Sequence, residues 1–108
     1  DVPFYKTTYT SFLNSFTGSV VVCQKMGMCF IHGYVKPSSV STSFVDVLSA
    51  DEVPAPQHGT NITPTVASWY SASDAAARVR IKASGGLAFA RGTANREYGF
   101  AIAYPIAS

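Results

Sequence analysis

The sequence predicts an all-β domain, an antiparallel β-sandwich or small β-barrel of about seven strands. Three observations carry that expectation. The chain holds 11 Val, 9 Thr, 7 Phe and 6 Tyr against 3 Leu and 2 Glu. β-Branched and aromatic side chains suit a pleated, half-buried surface, whereas Leu and Glu are staple helix formers. Apolar residues recur at every second position in several short runs, the period of a strand with one buried face. Turn residues separate those runs, and no stretch reads as a helix long enough for a parallel crossover, so antiparallel pairing follows. At 108 residues, 47% of them hydrophobic and 13% charged, the chain is one domain with a core rather than a disordered segment.

The elements follow in order. Residues 1–18 (Phe4, Tyr5, Tyr9, Phe12 and Phe16 among Thr and Ser) read as an extended lead-in holding at most one strand, with the β domain proper over 19–108. Ser19–Lys25 and Met28–Lys36 form a hairpin around Met26-Gly27, where glycine tolerates positive φ, and Pro37 ends it by removing a donor. Ser43–Leu48 is a third strand, with Phe44, Asp46 and Leu48 alternating against Val45 and Val47. Residues 49–64 contain Pro54, Pro56 and Pro64 and are expected as a long, semi-rigid surface loop of the kind that carries function. Val66–Tyr70 is a short strand or the end of that loop, and Asp74–Ala77 at most one helical turn. In Ala77–Ala83, Val79 and Ile81 face one way and Arg78, Arg80 and Lys82 the other. Ser84-Gly85-Gly86 turns the chain into Leu87–Ala90, and a polar loop over 91–97 leads to the last strand, Tyr98–Tyr104. There Tyr98, Phe100, Ile102 and Tyr104 share one face, and Gly99, Ala101 and Ala103 make a small, apolar opposite face that suits close packing against another subunit.

Several function classes drop out. No apolar run approaches the ~20 residues that span a bilayer, so membrane insertion is not expected. The start, Asp1-Val2-Pro3, is neither a signal peptide nor an initiator Met and is expected to follow a longer N-terminal portion. A formal charge of +2 is weak for a nucleic-acid groove, and no stretch interleaves aromatic and basic residues, so nucleic acid is not expected as a partner. No Gly-x-Ser-x-Gly elbow, His-Glu-x-x-His pair or phosphate-cradling loop occurs, and catalysis through His32 or His58 is not expected. Cys23 and Cys29 lie opposite each other only across a three-residue loop. Across a two-residue loop they point to opposite faces and stay reduced, which is the expected state. Neither a metal nor a cofactor is expected.

Two groups of residues suit recognition. Asp51, Glu52, His58, Trp69 and Tyr70 combine flat rings with carboxylate and imidazole groups, as a neutral sugar requires for stacking and directional hydrogen bonds. Arg91, Asn95 and Arg96 in the polar loop, with the row Arg78, Arg80 and Lys82, suit an anionic polymer such as a phosphate-bearing polysaccharide. Against this stand a core role for Trp69, a solvated loop for the carboxylates, and charge protection of an edge strand for the basic row.

Two segments carry a resemblance. Gly18-Ser-Val-Val-Val-Cys-Gln-Lys-Met-Gly-Met-Cys-Phe-Ile-His-Gly33 is a strand, a polar-Gly turn and a strand of alternating apolar residues ending in Gly. Val79-Arg-Ile-Lys-Ala-Ser-Gly-Gly-Leu87 is a later strand pair around a Gly-Gly turn. Together they cover about half the chain and resemble the C-terminal head domains of phage tail receptor-binding proteins, though no binding signature transfers with them. The resemblance implies a non-catalytic head at the tip of a phage tail, homotrimeric and following an N-terminal shaft that contacts other tail proteins. It would bind bacterial cell-wall polysaccharide or a teichoic-acid-like polymer outside the cell. The rival expectation is a structural virion domain, for tail or capsid assembly, that binds only proteins.

Overall fold

The computed structural model describes residues 4–68 and 77–107. The described residues form eight strands: β1 (Phe4–Tyr9), β2 (Thr17–Lys25), β3 (Met28–Lys36), β4 (Val45–Leu48), β5 (Val66–Ser68), β6 (Arg78–Ile81), β7 (Leu87–Ala90) and β8 (Tyr98–Pro105). All pairs are antiparallel, in a five-stranded sheet ordered β1-β2-β3-β8-β5 and a three-stranded sheet ordered β4-β7-β6. The expectation of an all-β fold of about seven antiparallel strands holds.

The β2–β3 hairpin forms because two runs that bury every second residue, Val20 and Val22 in β2 and Cys29, Ile31 and Val35 in β3, flank a two-residue turn. Met26 and Gly27 both take positive φ (55° and 74°), the geometry whose twist matches paired strands. The register sets Cys23 opposite Phe30 and Gln24 opposite Cys29, so the two thiols lie on opposite faces and are free. Segment 4–18 is built into the same body: β1 pairs with β2 along its whole length, and Phe16 is buried in the core.

The core lies between the sheets. Val20, Val22, Ile31, Val35, Tyr98, Phe100 and Tyr104 of the larger sheet meet Val47, Leu48, Val79, Ile81, Leu87 and Phe89 of the smaller one. Phe89 is the hinge of this contact, with its ring centroid 5.8 Å from Phe16 (edge-on) and 5.3 Å from Tyr98.

Two expectations need correction. Leu48 does not share a face with Asp46: a bulge between them, opposite β7, turns both Val47 and Leu48 into the core. The segment 49–64 is also more than a surface loop. Val53 is fully buried, Pro56 and Ile62 make isolated bridges to Ile106 and Ile81, and the Val53 carbonyl accepts from Gly86 N–H. Further bonds from Gln57 N–H to Pro105 O and from Ala107 N–H to Ala55 O hold it across the strand ends, so that it closes one end of the sandwich. Of the short strand expected after it, Val66–Ser68 is a strand, while Trp69 and Tyr70, like Asp74–Ala76 of the expected helical turn, lie outside the described residues.

At that closed end Cys29 and Tyr104 are cross-strand partners, and the Tyr104 hydroxyl donates to the Pro54 carbonyl at 2.8 Å. Burial pushes the Cys29 thiol above its ordinary range, and burial followed by the bond to Cys29 pushes Tyr104 strongly upward. Both groups therefore stay neutral in the fold at pH values where the unfolded chain has ionised. Between the ordinary thiol and phenol values (roughly 8.5 and 10) and the raised folded ones, the unfolded state binds fewer protons, so stability falls as pH rises. Thermal melts from neutral to strongly alkaline pH should show a constant midpoint up to about pH 8.5 and a progressive drop above it. Tyr104→Phe should melt lower at neutral pH, through loss of a bond worth about 1 kcal/mol, yet lose less on going above pH ~10.

Candidate functional site

The strand ends opposite to this closed end frame a cleft of about 380 Å³ lined by Asn14, Ser15, Phe16, Ser38, Ser39, Ser41, Val45, Phe89 and Arg91. Three connections meet there, and each is pinned by backbone bonds. Leu13 N–H donates to Val47 O (2.9 Å), while Asn14 Nδ2 donates to Asp46 O (2.9 Å). Arg91 N–H donates to Ser41 O (2.6 Å), and Asn95 N–H to Pro37 O (2.7 Å). The floor is apolar, formed by Phe16, Val45 and Phe89. The rim offers three serine hydroxyls from one loop, a fourth from Ser15, a carboxamide and one guanidinium.

The backbone around the cleft is strained. Among the described residues five non-glycine residues have positive φ, and three of them (Asn14 at 54°, Ser15 at 62° and Arg91 at 65°) line this cleft. A fourth, Asn95 at 64°, sits in the adjoining loop. Asn takes this conformation readily, Ser and Arg much less so, and such strain concentrates where a loop is held for a ligand.

Chemically, an apolar floor under a ring of hydroxyl and amide groups accepts the C–H face of a sugar while its hydroxyls hydrogen-bond at the rim. Arg91 is the one charged lining residue, so a phosphate or carboxylate substituent would find its partner there.

The residues nominated from sequence do not form a single group. Arg91 lines the cleft, and Asn95 and Arg96 sit on the same loop, with Arg96 N–H bonded to Thr93 O. Asp51, Glu52 and His58 lie at the other end of the sandwich, the two carboxylates in a turn packed on Gly85-Gly86 and His58 next to Gln57, whose N–H donates to Pro105 O. The nine residues of β3 separate the two ends by roughly 27 Å. Glu52 is occupied locally: its Oε1 accepts from the Ser49 N–H at 2.9 Å and the Ser49 hydroxyl at 3.0 Å, closing its own turn. Asp51 and His58 are exposed.

The basic row is spent on the fold. Lys82 Nζ pairs with Asp46 Oδ1 at 2.9 Å, the Arg80 guanidinium stacks 3.8 Å over the Phe44 ring, and Arg78 Nη1 donates to Ala77 O. These residues also charge the edge strand of the smaller sheet, which guards it against pairing with other chains.

Sequence reasoning passed over Asn14, Ser15, Ser38, Ser39 and Ser41. The signal for the three serines was the density of hydroxyl side chains in 38–43 directly after Pro37. Among the described residues, no three His, Cys, Asp or Glu side chains converge as a metal set, and no helix is long and apolar enough to cross a membrane. Comparison with known protein families, curated protein sequences and solved structures returns no match.

Proposed function

We propose that this chain is a non-catalytic recognition domain for a cell-surface saccharide carrying an anionic substituent, acting as the head of a phage tail receptor-binding protein. The observation that carries the reading is the cleft between the 13–16, 37–43 and 91–96 connections, where hydroxyls and Arg91 surround the rings of Phe16 and Phe89. Its polymer of choice is bacterial cell-wall polysaccharide or a teichoic-acid-like chain, whose repeating phosphates match a single guanidinium per site. The resemblance of the hairpin and of the Val79–Leu87 pair to phage head domains supports the setting, and with it a homotrimer at the tail tip.

Arg91→Asn tests the site, because Asn keeps the left-handed backbone and removes the guanidinium. Retention on immobilised cell-wall polysaccharide should weaken about tenfold or more, with an unchanged melting temperature, since a charge-assisted contact is worth about 1.5–3 kcal/mol. Equal retention of wild type and variant would remove the cleft from the reading. No retention of the wild type on any surface polymer, with tight docking to a virion protein instead, would favour the assembly role.

A further inference from the structure

The outward face of the five-stranded sheet takes no part in the cleft and has its own chemistry. β3 alternates strictly: Cys29, Ile31 and Val35 are buried, while Phe30, His32 and Tyr34 are exposed. Phe30 lies opposite Cys23 and Ala103, His32 opposite Val21 and Ala101, and Tyr34 opposite Ser19 and Gly99. The β8 side of the row is thus only Gly99, Ala101 and Ala103, and the three rings stand clear of it. Phe30 and Tyr34 are 44% and 37% exposed, far from the burial of a core aromatic. Successive rings are two residues apart, roughly 6.8 Å along the strand.

The surroundings are cationic. Lys6 pairs in register with Cys23 beside Phe30, Lys25 lies on the same face at the hairpin end, and Lys36 follows Tyr34 at the other. The five strands of this sheet contain no Asp or Glu. Their single carboxamide, Gln24, shares the inner face with Cys29. A sugar laid on these rings would find few of the acceptor groups its hydroxyls require, whereas a polyanion made of flat rings would find both stacking surfaces and counter-charge.

We propose that this face binds single-stranded nucleic acid without strong sequence preference, its bases stacking on Phe30, His32 and Tyr34 and its phosphates meeting Lys6, Lys25 and Lys36. The ring spacing is about twice the 3.4 Å rise of stacked bases, so the strand binds with its bases drawn apart, one to a ring. Only assembly of the sheet makes this surface. The rings come from β3 and two of the three cations from β1 and β2, so no single stretch of sequence interleaves them.

The test is fluorescence anisotropy of a labelled oligouridylate of about ten nucleotides, titrated with the intact chain over a range of salt concentrations. The expected result is saturable binding at low salt. The slope of log K against log salt should lie between about −1.4 and −2.1, that is, two or three phosphate contacts at ~0.7 each. The double variant Phe30→Ala/Tyr34→Ala should bind about tenfold or more weakly with an unchanged melting curve, because both side chains project from the surface. Should that variant melt lower, Lys6→Gln carries the test, with a slope smaller in magnitude by about 0.7.

Absence of binding at low salt overturns the proposal, as does equal affinity of a correctly folded double variant. Competition by poly(glycerol phosphate), which has the charge without the rings, as effective as that by unlabelled oligouridylate would reduce the face to a generic anion surface and overturn it too. A change in solution mass caused by the double variant would make the face a contact between copies of the chain, and would likewise overturn it.

Discussion

Phe89→Ala is expected to destabilise the domain by about 3–5 kcal/mol, lowering the melting temperature by roughly 12 °C or more. Phe89 is 2% exposed, sits at the meeting point of the two sheets, and makes ring contacts with Phe16 and Tyr98. Truncation removes its transfer free energy and leaves a hole that a sandwich of short strands cannot close, because Tyr98 is held in the β3–β8 ladder and Phe16 by its turn bond to Leu13 O. It also removes the floor of the cleft, so saccharide retention should fall together with stability. Val40→Ala, at a side chain 61% exposed, is the control and should move stability by less than about 0.5 kcal/mol. Urea denaturation of the two variants decides the matter: similar midpoints would mean that the sheets do not pack through Phe89.

Gly33→Ala is expected to cost about 3 kcal/mol or more, an unusual penalty for adding one methyl group. Gly33 has φ +149°, a region that side chains rarely adopt, and a Cβ there would collide with the Ser19 carbonyl oxygen of the neighbouring strand. Gly18 is its counterpart, with φ +138° and a Cβ position against the Tyr34 carbonyl oxygen. The unfavourable backbone alone is worth roughly 1–3 kcal/mol, and the obstacle is backbone rather than a flexible side chain, so relief requires the β2–β3 ladder to shift. Gly27→Ala provides the comparison. Its φ is +74° but nothing lies within 4 Å of the added Cβ, so only the left-handed strain of about 1–2 kcal/mol remains. Equal losses for the two variants, measured by chemical denaturation, would show that β2 and β3 do not approach each other this closely.

The legible parts of the fold are those whose cause is local. The β2–β3 hairpin rests on inward residues at every second position (Val20 and Val22, Cys29 and Ile31) and a Met-Gly turn, and the inward Val79 and Ile81 of β6 rest on the same period of two. Both can be read because side-chain alternation is a property of the strand itself. The opposed thiols of Cys23 and Cys29 followed in the same way once the turn had two residues. The bulge after Asp46 was not legible, since it is set by how β4 must meet β7. Nor was the burial of Val53 and Pro56, which depends on what the closing segment packs against.

The candidate site divides along the same line. Residue type alone placed Arg91, Asn95 and Arg96 among the groups suited to an anionic saccharide, and Arg91 does line the cleft. Asp51, Glu52 and His58 are near one another in the chain, and the strand directions carry them to the end of the sandwich opposite Arg91. The sequence by itself determined strand identity, turn chemistry and which side chains can face inward, because each is settled within a few residues by sterics and apolar periodicity. Tertiary structure alone decided that residues 13–16, 37–43 and 91–96 share a cleft and that three strands pool aromatic and cationic groups on one face. Such neighbourhoods depend on strand order, which is selected by the packing of two whole sheets rather than by any one segment.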